Sequence, residues 1–181
     1  MTNYRRRYVP GGTYFFTARL QNPASDLLVS QIDLLRDATR LCMKRWPFEI
    51  AGAVVLPNQL HMIWVLPDGD VDFSKRWRLI KSTFSRHVPA PDYVCASKQK
   101  RGEKGIWQRR FWEHLIRDVA DYDRHMHIIA TAPVQASLVK KAGDWPQCSL
   151  SHRKMGLDPS SPKTTAPVRS IPHPSVVVRA S

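Results

Sequence analysis

The spacing of hydrophobic and polar positions changes several times along the chain, and each change marks an element. After a break at Pro10-Gly11-Gly12, residues Thr13 to Leu20 are rich in aromatic and β-branched side chains and read as a strand. Between Leu27 and Met43, apolar residues recur at 28, 32, 35 and 42 with Leu27, Leu34 and Leu41 beside them, which predicts a helix over 27–45 opened by Ser25-Asp26. Phe48 to Leu56 and His61 to Leu66 then read as two neighbouring core strands joined at Pro57-Asn58, closed by the turn residues Pro67-Asp68-Gly69-Asp70. The helical period returns over 72–87, lapses in a loop-like stretch over 88–106, and gives way to a strand over 111–117 and a third helix over 119–132. The pattern therefore predicts four strands and three helices, the elements of an α+β chain, and leaves their arrangement open.

Angular position within the third helix singles out two residues. At about 100° per residue, Val119, Tyr122, Met126, Ile129 and Pro133 fall within an arc of roughly 80°, the stripe such a helix is expected to bury. Ile128 and Ala132 fall outside it, on a face shared with Asp121 and Arg124, where the main core does not account for an isoleucine. Beyond Asp144-Trp145-Pro146 the periodicity fades, and residues 157–181 are rich in Pro, Ser and Thr. The expected organisation is one domain over 1–156 and a disordered Pro/Ser-rich tail over 157–181.

Charge narrows the class of partner. The 181 residues carry a formal net charge of +13 with an ordinary hydrophobic share of 43%, as expected of a folded protein that faces a polyanion, with nucleic acid first in line. No apolar run has the length of a membrane span and no hydrophobic segment follows the arginines of the N-terminus, so no membrane and a cytoplasmic location are expected. Cys42, Cys95 and Cys148 have no paired metal-ligand spacing and read as free thiols. Basic residues gather in three places: Arg5, Arg6 and Arg7 between two tyrosines; Lys75, Arg78 and Lys81 on the second helix; and Arg109 and Arg110 between Trp107 and Trp112. Arginines interleaved with aromatic rings can contact phosphates and stack on bases, so these are candidate DNA-binding residues.

The candidate chemistry lies on the second strand of the pair. Residues two apart in a strand point to the same face, so Gln59 and His61 can converge on one small ligand. Two histidines there would make a metal pair. The first of them is a glutamine.

Six stretches taken together resemble the REP-associated tyrosine transposases, a branch of the IS200-like transposases within the HUH single-strand nuclease group. They are Asn3-Tyr4-Arg5-Arg6; Pro10 to Thr17; Val54-Val55-Leu56-Pro57-Asn58 with Leu60-His61; Phe73 with Trp77-Arg78-Leu79-Ile80-Lys81; Gly105 to His114; and Asp144-Trp145-Pro146. The resemblance spans about residues 3 to 150 and implies a ferredoxin-like antiparallel sheet with helices packed on it. It also implies a His-hydrophobic-His pair holding Mg²⁺ or Mn²⁺, a helix tyrosine that attacks the scissile phosphate, and an Asn or Gln one turn later that helps to hold the ion. Matching Pro133-Val134 to the family's Asn-Pro-Val segment puts Gln59 at the first histidine, Ile128 at the nucleophile and Ala132 at the helper amide. Only His61 keeps its family identity, so metal binding is expected to be weak or absent.

The favoured expectation is a transposase-like protein that binds hairpin or single-stranded DNA and has lost strand cleavage. The alternatives are an active metal-dependent transposase or single-strand endonuclease that uses another nucleophile, and an RNA-binding domain, since exposed aromatics on such sheets also bind single-stranded RNA.

Overall fold

The computed structural model describes residues 7–89, 91, 94, 100, 102 and 104–154. The arginine arm apart from Arg7, Cys95, part of the 88–106 loop and the tail at 157–181 lie outside the described residues. Strands β1 (Thr13–Arg19), β2 (Glu49–Val55), β3 (Gln59–Val65) and β4 (Trp112–Leu115) form one sheet in the order β2-β3-β1-β4, with every pairing antiparallel. The helices are α1 (Leu27–Ser30), α2 (Ile32–Arg45), α3 (Phe73–His87), α4 (Val119–Gln135) and α5 (Ser149–Lys154). The run β1, α1 and α2, β2, β3, α3, β4 is the split βαβ arrangement of the ferredoxin-like fold, with α4 added on the opposite face.

Alternation along the strands makes two cores. Tyr14, Phe16 and Ala18 of β1 and Leu60, Met62 and Trp64 of β3 face α2 and α3, where Leu35, Cys42, Phe73, Trp77 and Phe84 complete the larger cluster. Phe15, Val54 and Ile63 face the other way, toward Ile129 and Ala132 of α4 and toward Cys148. Strand β2 keeps Gly52 on this second face because a Cβ there would stand 2.8 Å from Met126 Sδ and 3.2 Å from Ile129 Cδ1. The bare backbone is what lets α4 lie close to the sheet.

Several boundaries differ from the sequence reading. The helix expected over 27–45 is broken at Gln31, which ends α1 and precedes α2. Gln59 is the first residue of β3, not part of the turn, and the last strand is only four residues long. Helix α4 runs past Pro133 to Gln135; the Ile129 carbonyl, which loses its usual amide partner to that proline, accepts from Cys148 Sγ at 3.9 Å.

The buried face of α4 is also corrected. Val119 is 59% exposed, whereas Asp121, His125, Ile129, Ala132 and Pro133 are buried. The helix is thus turned by roughly 60° from the stripe predicted by hydrophobic spacing. Ile128 packs half-buried against the second core and Ala132 is 6% exposed, so the sheet itself covers the face that hydrophobicity left unexplained. No helix among the described residues is long and apolar enough to cross a membrane.

Candidate functional site

Strand β3 presents Gln59 and His61 on the face toward α4, opposite Arg19 and Thr17 of β1. His61 is 9% exposed; its ring stacks on Phe15 at 5.5 Å, and its Nδ1 is 2.8 Å from Thr17 Oγ1. Burial, with Arg19 as the second cause, pushes its pKa down to about 4, so the imidazole is neutral at pH 7. A neutral imidazole fixed through one nitrogen is oriented as a metal ligand or base would be. Ile128 and Ala132 pack from α4 into the second core, the cluster that includes Phe15, on whose ring His61 stacks. The set offers one imidazole, one neutral amide and two hydrocarbon side chains. These residues do not fit the divalent ion that the resemblance implies, because Ala132 has no donor atom and a glutamine oxygen is a weak substitute for imidazole.

On the other side of the β1–β4 edge, α3 and the segment before β4 enclose an open groove of about 830 Å³. Its described lining includes Arg78, Lys81, Arg86, Lys104, Arg109 and Arg110, and no carboxylate. Lys81 Nζ donates to the Gln108 carbonyl at 3.0 Å and lies 5.6 Å from the Trp107 and Phe111 ring centroids, which ties the two walls together. A smaller hollow of about 470 Å³ joins Arg19, Thr17 and Gln108 to Arg110 and Trp112. The cations of α3 and of the 109–110 segment thus meet in space, although 28 or more positions separate Arg109 and Arg110 from Lys81 and Arg78 in sequence.

Other expected DNA contacts separate by environment. Trp107 is 7% exposed and belongs to the larger core, against Phe84, while Trp112 is 49% exposed at the sheet edge. Lys75 does not line the groove: its Nζ is 4.0 Å from Asp70 Oδ2 and 5.5 Å from the Trp46 ring centroid. Arg76, within the basic run of α3, is 1% exposed and is structural, donating to Asp70 Oδ2 at 2.7 Å and to the carbonyls of Trp46, Pro47 and Asp72. Arg7 is exposed and accepts from Tyr14 Oη at its carbonyl, whereas Arg5 and Arg6 lie outside the described residues.

One polar group was missed from sequence. Asp121 is buried beneath His114 of β4 and His125 of its own helix. The i, i+4 spacing of Asp121 and His125 is the signal the sequence offers for this pair.

The fold and these sites define an α+β protein with a ferredoxin-like sheet, a basic groove on one side and a buried strand histidine on the other. No family model matches the chain. It is 46% identical over 161 residues to the REP-associated tyrosine transposase of Escherichia coli K12, covering 88% of this chain and 89% of that protein. A Haemophilus influenzae protein named for the same family is 39% identical over 154 residues, covering 84% and 87% respectively. Among solved structures, a REP-associated tyrosine transposase bound to a REP hairpin superposes with a TM-score of 0.73 at 44% identity, over 88% of this chain and 89% of that one. The chain belongs to the REP-associated tyrosine transposase family.

Proposed function

We propose that this protein binds hairpin or single-stranded DNA through the groove between α3 and the segment before β4, and that it has lost strand cleavage. The groove carries the reading: six described cations line it with no described carboxylate among them, an arrangement suited to a phosphate backbone. Arg78, Arg109 and Arg110 are exposed and offer guanidinium groups for phosphate oxygens. Trp112, exposed beside Arg110, supplies a face on which an unpaired base stacks. The hairpin held by the solved relative supports the same class of ligand.

Loss of cleavage is supported by the side chains at three positions. Ile128 has no nucleophilic atom, Ala132 has no ligand atom, and Gln59 replaces an imidazole. Tyr122, the tyrosine of α4, lies six positions before Ile128 and packs half-buried against the second core, so no phenol stands at the position of the family's nucleophile. The test uses a labelled hairpin oligonucleotide with an unpaired flank, scored for binding by anisotropy and for a covalent adduct or nick on a denaturing gel, with Mg²⁺ or Mn²⁺ present. Binding without adduct or nick is expected. Gln59→His, Ile128→Tyr and Ala132→Asn together are expected to yield a detectable adduct, and each alone none. Nicking by the unmodified protein that disappears in His61→Ala overturns the loss of cleavage, while absence of binding overturns the DNA reading.

A further inference from the structure

We propose that His114, Asp121 and His125 form a binding site for one borderline transition-metal ion, of which Zn²⁺ is the representative, separate from the Gln59 and His61 position and fastening β4 to α4. One ligand atom from each of the three side chains lies within 4.8 Å of the other two. His114 Nε2 is 2.8 Å from Asp121 Oδ2, and His125 Nδ1 is 3.3 Å from Asp121 Oδ1. The His114 and His125 rings stack at 4.5 Å, walled by Trp112 on one side and Phe15 on the other. Two imidazoles and a carboxylate are the donor set that suits zinc and its neighbours better than Mg²⁺ or Ca²⁺.

Hydrogen bonding within the cluster leaves one need unmet. Asp121 Oδ2 accepts from His114 Nε2 and from the Arg117 amide, yet Oδ1 is buried without a hydrogen bond, with only His125 Nδ1 at 3.3 Å and Arg124 Nη1 at 3.9 Å near it. A carboxylate oxygen sealed from water is costly unless a donor or a cation reaches it. His125 Nδ1, which stands 3.3 Å from Asp121 Oδ1, also donates to the Asp121 carbonyl at 2.7 Å, so to ligate it gives up that bond and its proton passes to Nε2. Burial also lowers the pKa of His125, which favours the neutral imidazole that metals require.

Binding requires small rearrangements. Ligand atoms around a tetrahedral zinc stand about 3.3 Å apart, so His114 and Asp121 must separate by about 0.5 Å. The His114 proton moves from Nε2 to Nδ1 through solvent, leaving that imidazole neutral. Arg117 Nε at 3.6 Å and Arg124 Nη1 at 3.9 Å from the carboxylate oppose a cation, but their side chains are 60% and 64% exposed and swing into water.

The experiment titrates Zn²⁺ into the full chain, freed of any purification tag and dialysed against chelator, by calorimetry. Binding of one equivalent at micromolar or tighter affinity is expected. His114→Ala and His125→Ala are each expected to weaken it by more than about 100-fold, a larger loss than that of an outer partner. Co²⁺ should give visible ligand-field bands without thiolate charge transfer. Should either variant fail to fold, imidazole nitrogen spectra of the unmodified protein decide: Zn²⁺ shifts His114 and His125 and leaves His61 in place. No binding at about 100-fold excess Zn²⁺, unchanged affinity in both variants, or shifts confined to His61 overturns the site.

Discussion

At the residue scale the clearest consequence concerns Arg76, a cation in a basic run that faces no solvent. Its guanidinium donates to one carboxylate and three carbonyls, so Arg76→Ala leaves Asp70 and those carbonyls without their donor. Removing one partner of a fully buried ion pair destabilises by about 3–5 kcal/mol; because Asp70 is partly exposed, a loss at or below the lower end of that range is expected in urea unfolding. The pH dependence has a definite sign. The hydrogen bond from Arg76 leads the causes that lower the Asp70 pKa from 3.8 to about 2. A depressed carboxylate contributes stability that is fully present above 3.8 and fades as pH falls toward 2. Arg76→Met should therefore flatten the acid limb of the stability profile in that window; an unchanged limb would show that other carboxylates set it.

At the element scale, α4 shows where sequence reasoning reached its limit. The existence of the helix and its start near Val119 were legible. The rotation was not, because hydrophobicity treats Asp121 and His125 as solvent-facing and Val119 as buried. The structure reverses both: His114 on β4 supplies the donor that lets Asp121 go under, and Val119 in the first turn is left exposed. Burial pushes the Asp121 carboxyl up, but the bonds from His114 and the Arg117 amide outweigh it and hold the pKa below its ordinary value. Gly52 tests this docking. A valine there meets Met126 Sδ and Ile129 Cδ1, and overpacking of this kind typically costs about 1–3 kcal/mol. Gly52→Val is expected to lose stability in that range, with Met126→Ala recovering part of it in the double variant; additivity of the two changes would mean that α4 does not rest on β2 at this point.

At the scale of the whole molecule, most of the strands and helices could be read from period and turn chemistry, because each has one buried face and clear breakers. What the sequence could not separate was which cations of a +13 chain share one surface. Linear spacing grouped Lys75 with Arg78 and Lys81, yet helix geometry sends Lys75 to Asp70 and Trp46 and leaves Arg78 and Lys81 in the groove with Arg109 and Arg110. This separation makes a prediction that net charge alone does not. Each phosphate neutralised in a duplex contributes about 0.9 to the slope of log affinity against log salt, and about 0.7 in a single strand. Arg78→Ala, Arg109→Ala and Arg110→Ala should each weaken hairpin binding and lower that slope by somewhat less than one unit, and the triple variant by about the sum. Lys75→Ala removes the same formal charge but should leave the slope nearly unchanged. Binding isotherms over a range of salt concentrations decide the matter: four equal reductions would indicate a diffuse field over the whole surface, whereas three reductions and one null result locate the phosphate path in the groove.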